Sequence, residues 1–331
     1  MTKIFIGPMS KNIVDAITDL SPQDKQSIGF LPSRRQVEYN GGYVNNWKTI
    51  DFINYVRSRD ENIALQRDHA GPSQGPFDDD GLESLKNDSL SGFNLIHIDP
   101  WKKYKRLDEA IEVTSNLVKH CYNFNQAVEY EIGTEQAIRE YSVEELEKFI
   151  IGVQKNLGNL FDKVKYGVIQ GGTRIEGTKN IGTFDEKRCK QMIQICTKHG
   201  LFSKEHNGDY LTAAQIKRRF DLGLTSLNIA PEFGVLETKC VLDEMFNNLD
   251  EKSFKKFYDL CYNSKKWVKW LPDSIENTTE LITNISIMRV SGHYVFSDNE
   301  FEKIKLKYPN LDKLIQEKIK KRVTEVLCAT R

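Results

Sequence analysis

Short apolar runs alternate with longer stretches whose apolar residues recur three and four positions apart, and the alternation holds over residues 1–250. The runs are KIFIGP (3–8), SIGFLP (27–32), NIALQRD (62–68), FNLIHID (93–99), AVEYEIG (127–133), VKYGVIQ (164–170), LFSKEH (201–206) and TSLNIA (225–230). Their length and their β-branched and aromatic content predict strands. A helical pattern follows each. Residues 107–121 place Leu107, Ala110, Ile111, Leu117, Val118 and Cys121 near helical spacing. Ser142, with Glu145 three residues on, predicts a capping box ahead of the stripe Leu146, Phe149, Ile150 and Val153. Thr212 and Gln215 make the same signal before Ile216 and Phe220.

Strands alternating with helices predict a parallel sheet covered by helices. Eight such units predict an α/β fold closed into a (β/α)8 TIM barrel, since an open doubly wound sheet usually has about five or six strands. The glycine fingerprints of nucleotide-binding open sheets, GxGxxG after the first strand and GxxxxGK[ST], are missing. A sugar kinase, which would need such a loop, is therefore not expected. Beyond about residue 250 the alternation stops. Residues 252–263 and 299–326 read as charged amphipathic helices, and SIMRVSGHYVF (286–296) fits either element. The expected division is a barrel over 1–250 and a helical C-terminal appendage over 251–331 packed on it. Lys265, Lys266, Trp267, Lys269 and Trp270 mix bases and aromatics as single-strand binders do. An amphipathic helix with lysines outside and tryptophans packed is the stronger expectation.

Composition narrows the function classes. Formal net charge is zero, so no global field draws the chain to nucleic acid or an anionic membrane. Cys121, Cys189, Cys196, Cys240, Cys261 and Cys328 form no CxxC pair, and reduced thiols in a cytoplasm are expected. The start MTKIFIGPMSKN lacks a signal-peptide core, and no apolar run is long enough to span a bilayer.

Candidate chemistry gathers at the strand ends, where barrels of this kind build their sites. Side chains alternate across a strand. His97 and Asp99 therefore share one face of the fourth strand, and Glu129 and Glu131 one face of the fifth. His69 and His206 end the third and seventh strands, and with Asp99 and Glu131 they form a set suited to a divalent metal such as zinc. His97 points inward but sits deeper, where a hydrogen bond within the barrel would satisfy it. Asp68 and His69 are adjacent and face one site only if the chain turns there; Gly71 and Pro72 follow at once. Gly171 and Gly172 after the sixth strand and Gly208 after the seventh offer backbone amides for phosphate, or simple turn geometry. Arg34 and Arg35 end the second strand and suit an anion clamp as well as a surface role. The run Asp78, Asp79, Asp80 reads as a solvated loop rather than a Mg2+ site.

Several of these segments resemble the class II aldolases, and most closely the Z-type subunit family of D-tagatose-1,6-bisphosphate aldolase. They are QVEYNGGY (36–43), RDHAGP (67–72), LIHID (95–99), YEIGTE (130–135), VIQGG (168–172), HNGDYLT (206–212), NIAP (228–231) and SGHYVFSD (291–298). The resemblance spans nearly the whole chain. It implies that Asp68 is the acid/base moving a proton on the sugar hydroxyl, that His69 and His206 are metal ligands, and that Asp99 and Glu131 stand near the metal. It places Asn228 near a substrate-contacting position. Where catalytic members carry a third histidine ligand, the chain has Gln170. Asp99 or Glu131 would then complete the set, or metal would bind weakly, or the site would work without it.

The resemblance implies an enzyme acting on a sugar or sugar phosphate through an enediolate, by retro-aldol cleavage or by epimerisation or isomerisation. The rival it implies is a non-catalytic stabilising subunit of a tagatose-bisphosphate aldolase. A further alternative is an isomerase or mutase of a nucleotide-activated sugar. Expected partners are the small-molecule substrate and either further copies of the chain or an aldolase subunit.

Overall fold

The structure is a computed structural model that describes residues 1–271 and 283–331. Eight parallel strands close a barrel: β1 (Ile4–Ile6), β2 (Ile28–Phe30), β3 (Ala64–Ala70), β4 (Leu95–Ile98), β5 (Glu129–Ile132), β6 (Val164–Ile169), β9 (Phe202–Glu205) and β10 (Ser226–Ile229). Seven lie within the predicted runs; β3 runs two residues past the end of its run at Asp68. β1 pairs both β2 and β10, which closes the ring. A two-stranded hairpin, β7 (Ile175–Glu176) and β8 (Lys179–Asn180), interrupts the connection after β6.

Helices follow the strands: α1 (Lys11–Thr18), the short α2 (Pro22–Lys25), α3 (Thr49–Arg57), α4 (Leu82–Ser91), α5 (Leu107–Phe124), α6 (Val143–Leu157), α7 (Glu186–Lys198), α8 (Ala213–Asp221) and α9 (Pro231–Asn247). Both predicted capping boxes form, at Ser142–Glu145 and Thr212–Gln215. Caps of this kind contribute about 1 kcal/mol each. The outward strand residues Ile96, Ile98, Tyr130 and Ile132 join the buried stripes of the helices in one continuous core.

The interior fills in layers from the strand starts to their ends. Phe5, Leu31, Leu95 and Tyr166 form an apolar plug. Above it, Lys204 on β9 is wholly buried, its Nζ 3.6 Å from the Phe5 ring centre and 4.3 Å from that of Tyr166. The histidines lie above Lys204.

The C-terminal stretch carries α10 (Glu251–Ser264), α11 (Asn284–Ser291), α12 (Asn299–Lys305) and α13 (Leu311–Ala329). The ambiguous 286–296 stretch is thus helical to Ser291, followed by a 3₁₀ turn over Gly292–Tyr294, and is not a strand. The helix expected over 299–326 is two helices, broken at the turn that holds Pro309, whose ring cannot supply an amide hydrogen. α13 runs beside α1 and also touches α8 and α9. Asn12 Nδ2 donates to Asp312 Oδ1 (2.8 Å) near one end, and Lys3 Nζ to the Thr330 carbonyl (2.7 Å) at the other. The Lys265–Trp270 stretch is not the expected amphipathic helix. α10 stops at Ser264, Lys265 turns left-handed (φ 56°), and Val268–Trp270 is a single 3₁₀ turn. Its bases lie over rings: Lys265 Nζ is 4.1 Å from the Tyr262 ring centre and Lys269 Nζ 4.6 Å from that of Trp270. No helix among the described residues is long and apolar enough to cross a membrane.

Candidate metal centre at the barrel mouth

The ends of β3, β4 and β9 bring three histidines together. Ring centres are 5.0 Å apart for His69 and His97, 5.2 Å for His69 and His206, and 4.8 Å for His97 and His206. One ligand atom from each, with one from Asp68, falls within 4.8 Å of all the others. The strand does not end at Asp68. Its pairing with β4 slips between Arg67 and Ala70, and His69 takes a left-handed backbone conformation (φ 43°). A bulge of this kind re-aims a side chain, so Asp68 and His69 both turn inward. A non-glycine residue held there costs of order 1–3 kcal/mol and marks a position with a function to serve.

Each histidine is held from behind. His69 Nδ1 lies 2.6 Å from Asp99 Oδ2. His206 Nε2 lies 2.6 Å from Glu131 Oε1. His97 Nε2 lies 3.0 Å from the Gly133 carbonyl. Carboxylates and carbonyls only accept, so the histidine N–H donates in all three. The opposite nitrogens of His69 and His206 are turned toward the shared space, and that of His97, Nδ1, accepts from the His69 amide at 3.3 Å. This is the outer-shell arrangement that fixes ring orientation in metal sites. It also gives Asp99 and Glu131 their place. They stand behind the histidines and are not among the converging ligand atoms. Thr134 Oγ1 donates to the same Asp99 oxygen (3.1 Å), and the Trp101 amide to the other (3.1 Å).

Glu131 is the hub of the deeper layer. Lys204 Nζ is 2.5 Å from Oε2, and Gln66 Nε2 donates to Oε2 at 2.7 Å. Lys204 in turn donates to Gln66 Oε1 (2.6 Å). Burial pushes the Glu131 carboxyl up, but Lys204, His97 and His206 together hold it well below the usual carboxylate range. Burial pushes Lys204 down, and Glu131 only partly restores it. Asp68 is pushed up by burial and pulled down to about 2 by His69, His97 and His206. Burial lowers His69, while Asp68, Asp99 and Glu135 raise it well above an ordinary imidazole. Glu135 Oε2 faces His69 Nε2 at 3.6 Å and His206 Nδ1 at 3.9 Å, and accepts from Asn207 Nδ2 at 2.8 Å.

Two buried groups here have unused hydrogen-bonding atoms among the described residues. Asp68 Oδ1 makes no hydrogen bond, though His97 Nδ1 lies 3.6 Å away, and neither polar atom of the Asn228 side chain makes one. Asn228 stands on β10 one position beyond the pairing of Leu227 with Glu205, at the level of His206. Leaving such a group unpaired costs about 1–3 kcal/mol, a cost that a bound ligand would remove.

The remaining sequence candidates are committed elsewhere. Gln170 does not reach the histidines. Its Nε2 donates to the Thr134 (3.0 Å) and Arg139 (2.8 Å) carbonyls, and its Oε1 accepts from the Tyr141 amide (3.1 Å) and Arg188 Nη2 (2.9 Å). The amide is saturated by the loop between β5 and α6 together with Arg188 of α7. Arg34 is buried and donates to Glu38 (2.7 Å), to both Asp79 oxygens (2.8 and 2.6 Å) and to the Gly71 carbonyl (2.8 Å). It fastens the loop after β3 rather than facing a ligand. Asp79 of the acidic run is thus an ion-pair partner. Arg35 is exposed and its Nε donates to the Gly75 carbonyl at 3.3 Å. The Gly171 amide donates to Glu205 Oε1 (3.0 Å) and the Gly208 amide to the Asn228 carbonyl (2.8 Å). Neither is left for a phosphate. Gly172 (φ 98°) is required by the turn, because a Cβ there would lie 1.9 Å from the Thr183 carbonyl oxygen.

Sequence reasoning undervalued His97 and passed over Lys204, Gln66 and Glu135. The signal for Lys204 was present: it lies two residues before His206, hence on the same inward face.

No family model matches the chain, and no curated protein is similar to it. Solved structures do share its fold. A probable tagatose 6 phosphate kinase from Sinorhizobium meliloti superposes with TM-score 0.71 at 16% identity, over 96% of this chain and 86% of that one. The YdjI aldolase from Escherichia coli gives 0.55 at 13% identity, over 92% and 90%. The fructuronate-tagaturonate epimerase UxaE from Cohnella laeviribosi gives 0.62 at 11% identity, over 98% and 81%. At such identities the likeness is one of fold.

Proposed function

We propose that the chain is a metal-dependent enzyme of class II aldolase type acting on a ketose or ketose phosphate. The 1–250 barrel would carry the chemistry, with 251–331 as its appendage. The observation that carries this reading is the histidine trio, each ring fixed by its own acceptor, with the Asp68 carboxylate beside it, one oxygen of which makes no hydrogen bond. His69 Nε2, His97 Nδ1 and His206 Nδ1, with Asp68 or substrate in the fourth place, form a donor set suited to zinc. His97 thereby supplies the third nitrogen that Gln170 cannot. A divalent ion held there would polarise the sugar carbonyl and stabilise the charge developing on its oxygen.

Asp68 is the proton shuttle. Against the effect of burial, the neighbouring histidines hold its carboxyl ionised, and a divalent ion beside it would keep it so. As a carboxylate at the barrel mouth it would take the proton from the hydroxyl beside the breaking carbon–carbon bond. Asn228 would offer its free amide to a substrate hydroxyl or carbonyl. Returning the fragment or the proton to the opposite face gives an epimer; releasing it gives cleavage. The aldolase and the epimerase that share the fold fit either outcome.

The test is metal content before and after chelation, with turnover assayed on a panel of ketose phosphates. About one tightly held divalent ion is expected, with activity lost in Asp68→Ala and His206→Ala. Absence of both metal and turnover would sink the reading and favour the stabilising subunit. Turnover of a nucleotide-activated sugar alone would favour the isomerase or mutase.

A further inference from the structure

A second concavity of about 420 Å³ opens among the loop after β9, α9, α11 and α13, and it is lined by Tyr210, Lys239, Arg289, Lys318, Lys321 and Arg322. Five of these are cations, against two lining carboxylates, Glu232 and Glu325, in a chain whose formal net charge is zero. Lys318, Lys321 and Arg322 recur three and four apart and so share one face of α13. Lys239 and Arg289 arrive from two other helices. Among the described residues, only Arg322 of the five has ion-pair partners: its Nε lies 2.5 Å from Glu232 Oε1 and its Nη1 3.7 Å from Glu325 Oε2. Lys239, Arg289, Lys318 and Lys321 are thus left in excess over the two carboxylates, both of which pair with Arg322. Such an excess of like charge is self-repelling, and an anionic ligand would remove that cost.

Tyr210 adds an independent sign. Its backbone is left-handed (φ 60°), and its buried hydroxyl has no partner among the described residues. Its amide donates to Glu232 Oε2 (2.6 Å), and Arg322 Nη2 donates to the Leu211 carbonyl (2.8 Å). One wall of the cleft is therefore built on the loop that begins at His206. Val235 and Leu236 supply apolar lining. A volume within the range of small-molecule pockets, roughly 300–1,000 Å³, exceeds what a single inorganic phosphate needs.

We propose that this cleft binds an organic molecule carrying two phosphate groups, at a site separate from the histidine cluster. Nucleoside diphosphates and sugar bisphosphates share that chemistry. Lysine ammonium and arginine guanidinium groups would meet the phosphate oxygens, and the Tyr210 hydroxyl would gain a partner.

The test is calorimetric titration of the full-length, chelator-treated protein with ADP, fructose 1,6-bisphosphate and inorganic pyrophosphate. Either organic ligand is expected to bind more tightly than pyrophosphate, and which of the two does so identifies the source. Lys318→Glu combined with Lys321→Glu, both exposed, should weaken binding by roughly tenfold or more. Arg289→Ala, also exposed, should weaken it less, and thermal melting checks that both variants fold. His206→Ala should leave it unchanged. No binding at millimolar ligand, equal binding by the charge-reversed protein, or loss of binding in His206→Ala would each overturn the proposal.

Discussion

Buried charge occurs on both faces of the barrel wall, and the two faces use it differently. On the outer face Arg67 meets Asp88 through two hydrogen bonds (2.8 and 2.7 Å), and its remaining donors reach the Pro32 and Val37 carbonyls and Thr49. Arg219 Nε likewise donates to Glu205 Oε2 (2.7 Å), whose other oxygen accepts from Gly171. On the inner face His97, His206, Asp68 and Asn228 are buried too, yet Asp68 Oδ1 and the Asn228 amide make no hydrogen bond. Burial of a charge is therefore no guide to function in this chain. The guide is whether its hydrogen-bonding capacity is used up within the protein.

The contrast breaks most visibly under truncation. Asp88→Ala would strand a fully buried guanidinium, and a loss of about 3–5 kcal/mol in urea unfolding is expected, with metal affinity unchanged. A loss below about 1 kcal/mol would mean the outer pairs are not structural. Gln170→Ala should cost about 1–3 kcal/mol, because it frees buried partners in the loop after β5. Its metal affinity should stay within roughly twofold; a large drop in a chelator competition would return Gln170 to the ligand set.

Protons sharpen the same comparison. His69 is raised in the folded, metal-free chain. Its stabilisation is thus complete below the unfolded value near 6.5 and is lost as pH climbs through the folded value. Asp68 runs the other way: its contribution is present above the unfolded value near 3.8 and fades as pH falls toward about 2. Against the effect of burial, Glu131 and Asp68 raise His97 as well, so metal uptake near pH 7 should expel at least about one proton. Calorimetry in two buffers of different ionisation heat would reveal it, and buffer-independent heats would contradict a protonated His69. The smallest effect is expected at Asn228. Replacing it with leucine removes two unsatisfied atoms, so stability should change by less than about 1 kcal/mol, in either direction. Thermal melting tests this, and a drop near that of Asp88→Ala would show that the amide has a hidden structural partner.

What the amino-acid order determined by itself was the rhythm of the molecule. Eight apolar runs, two capping boxes and the placing of His69, Asp99, Glu131 and His206 at strand ends all follow from local spacing, because strand and helix periods are set by backbone geometry alone. Tertiary structure decided which of those groups face one another and in what order. The slip in β3 turned His69 inward, and closure of the ring set His97 beside His69 and His206. The same closure put Lys204 under Glu131 and drew Gln170 into the loop after β5. These outcomes depend on which strands become neighbours and where a register shifts. Such contacts join residues tens of positions apart, so no local pattern in the chain encodes them.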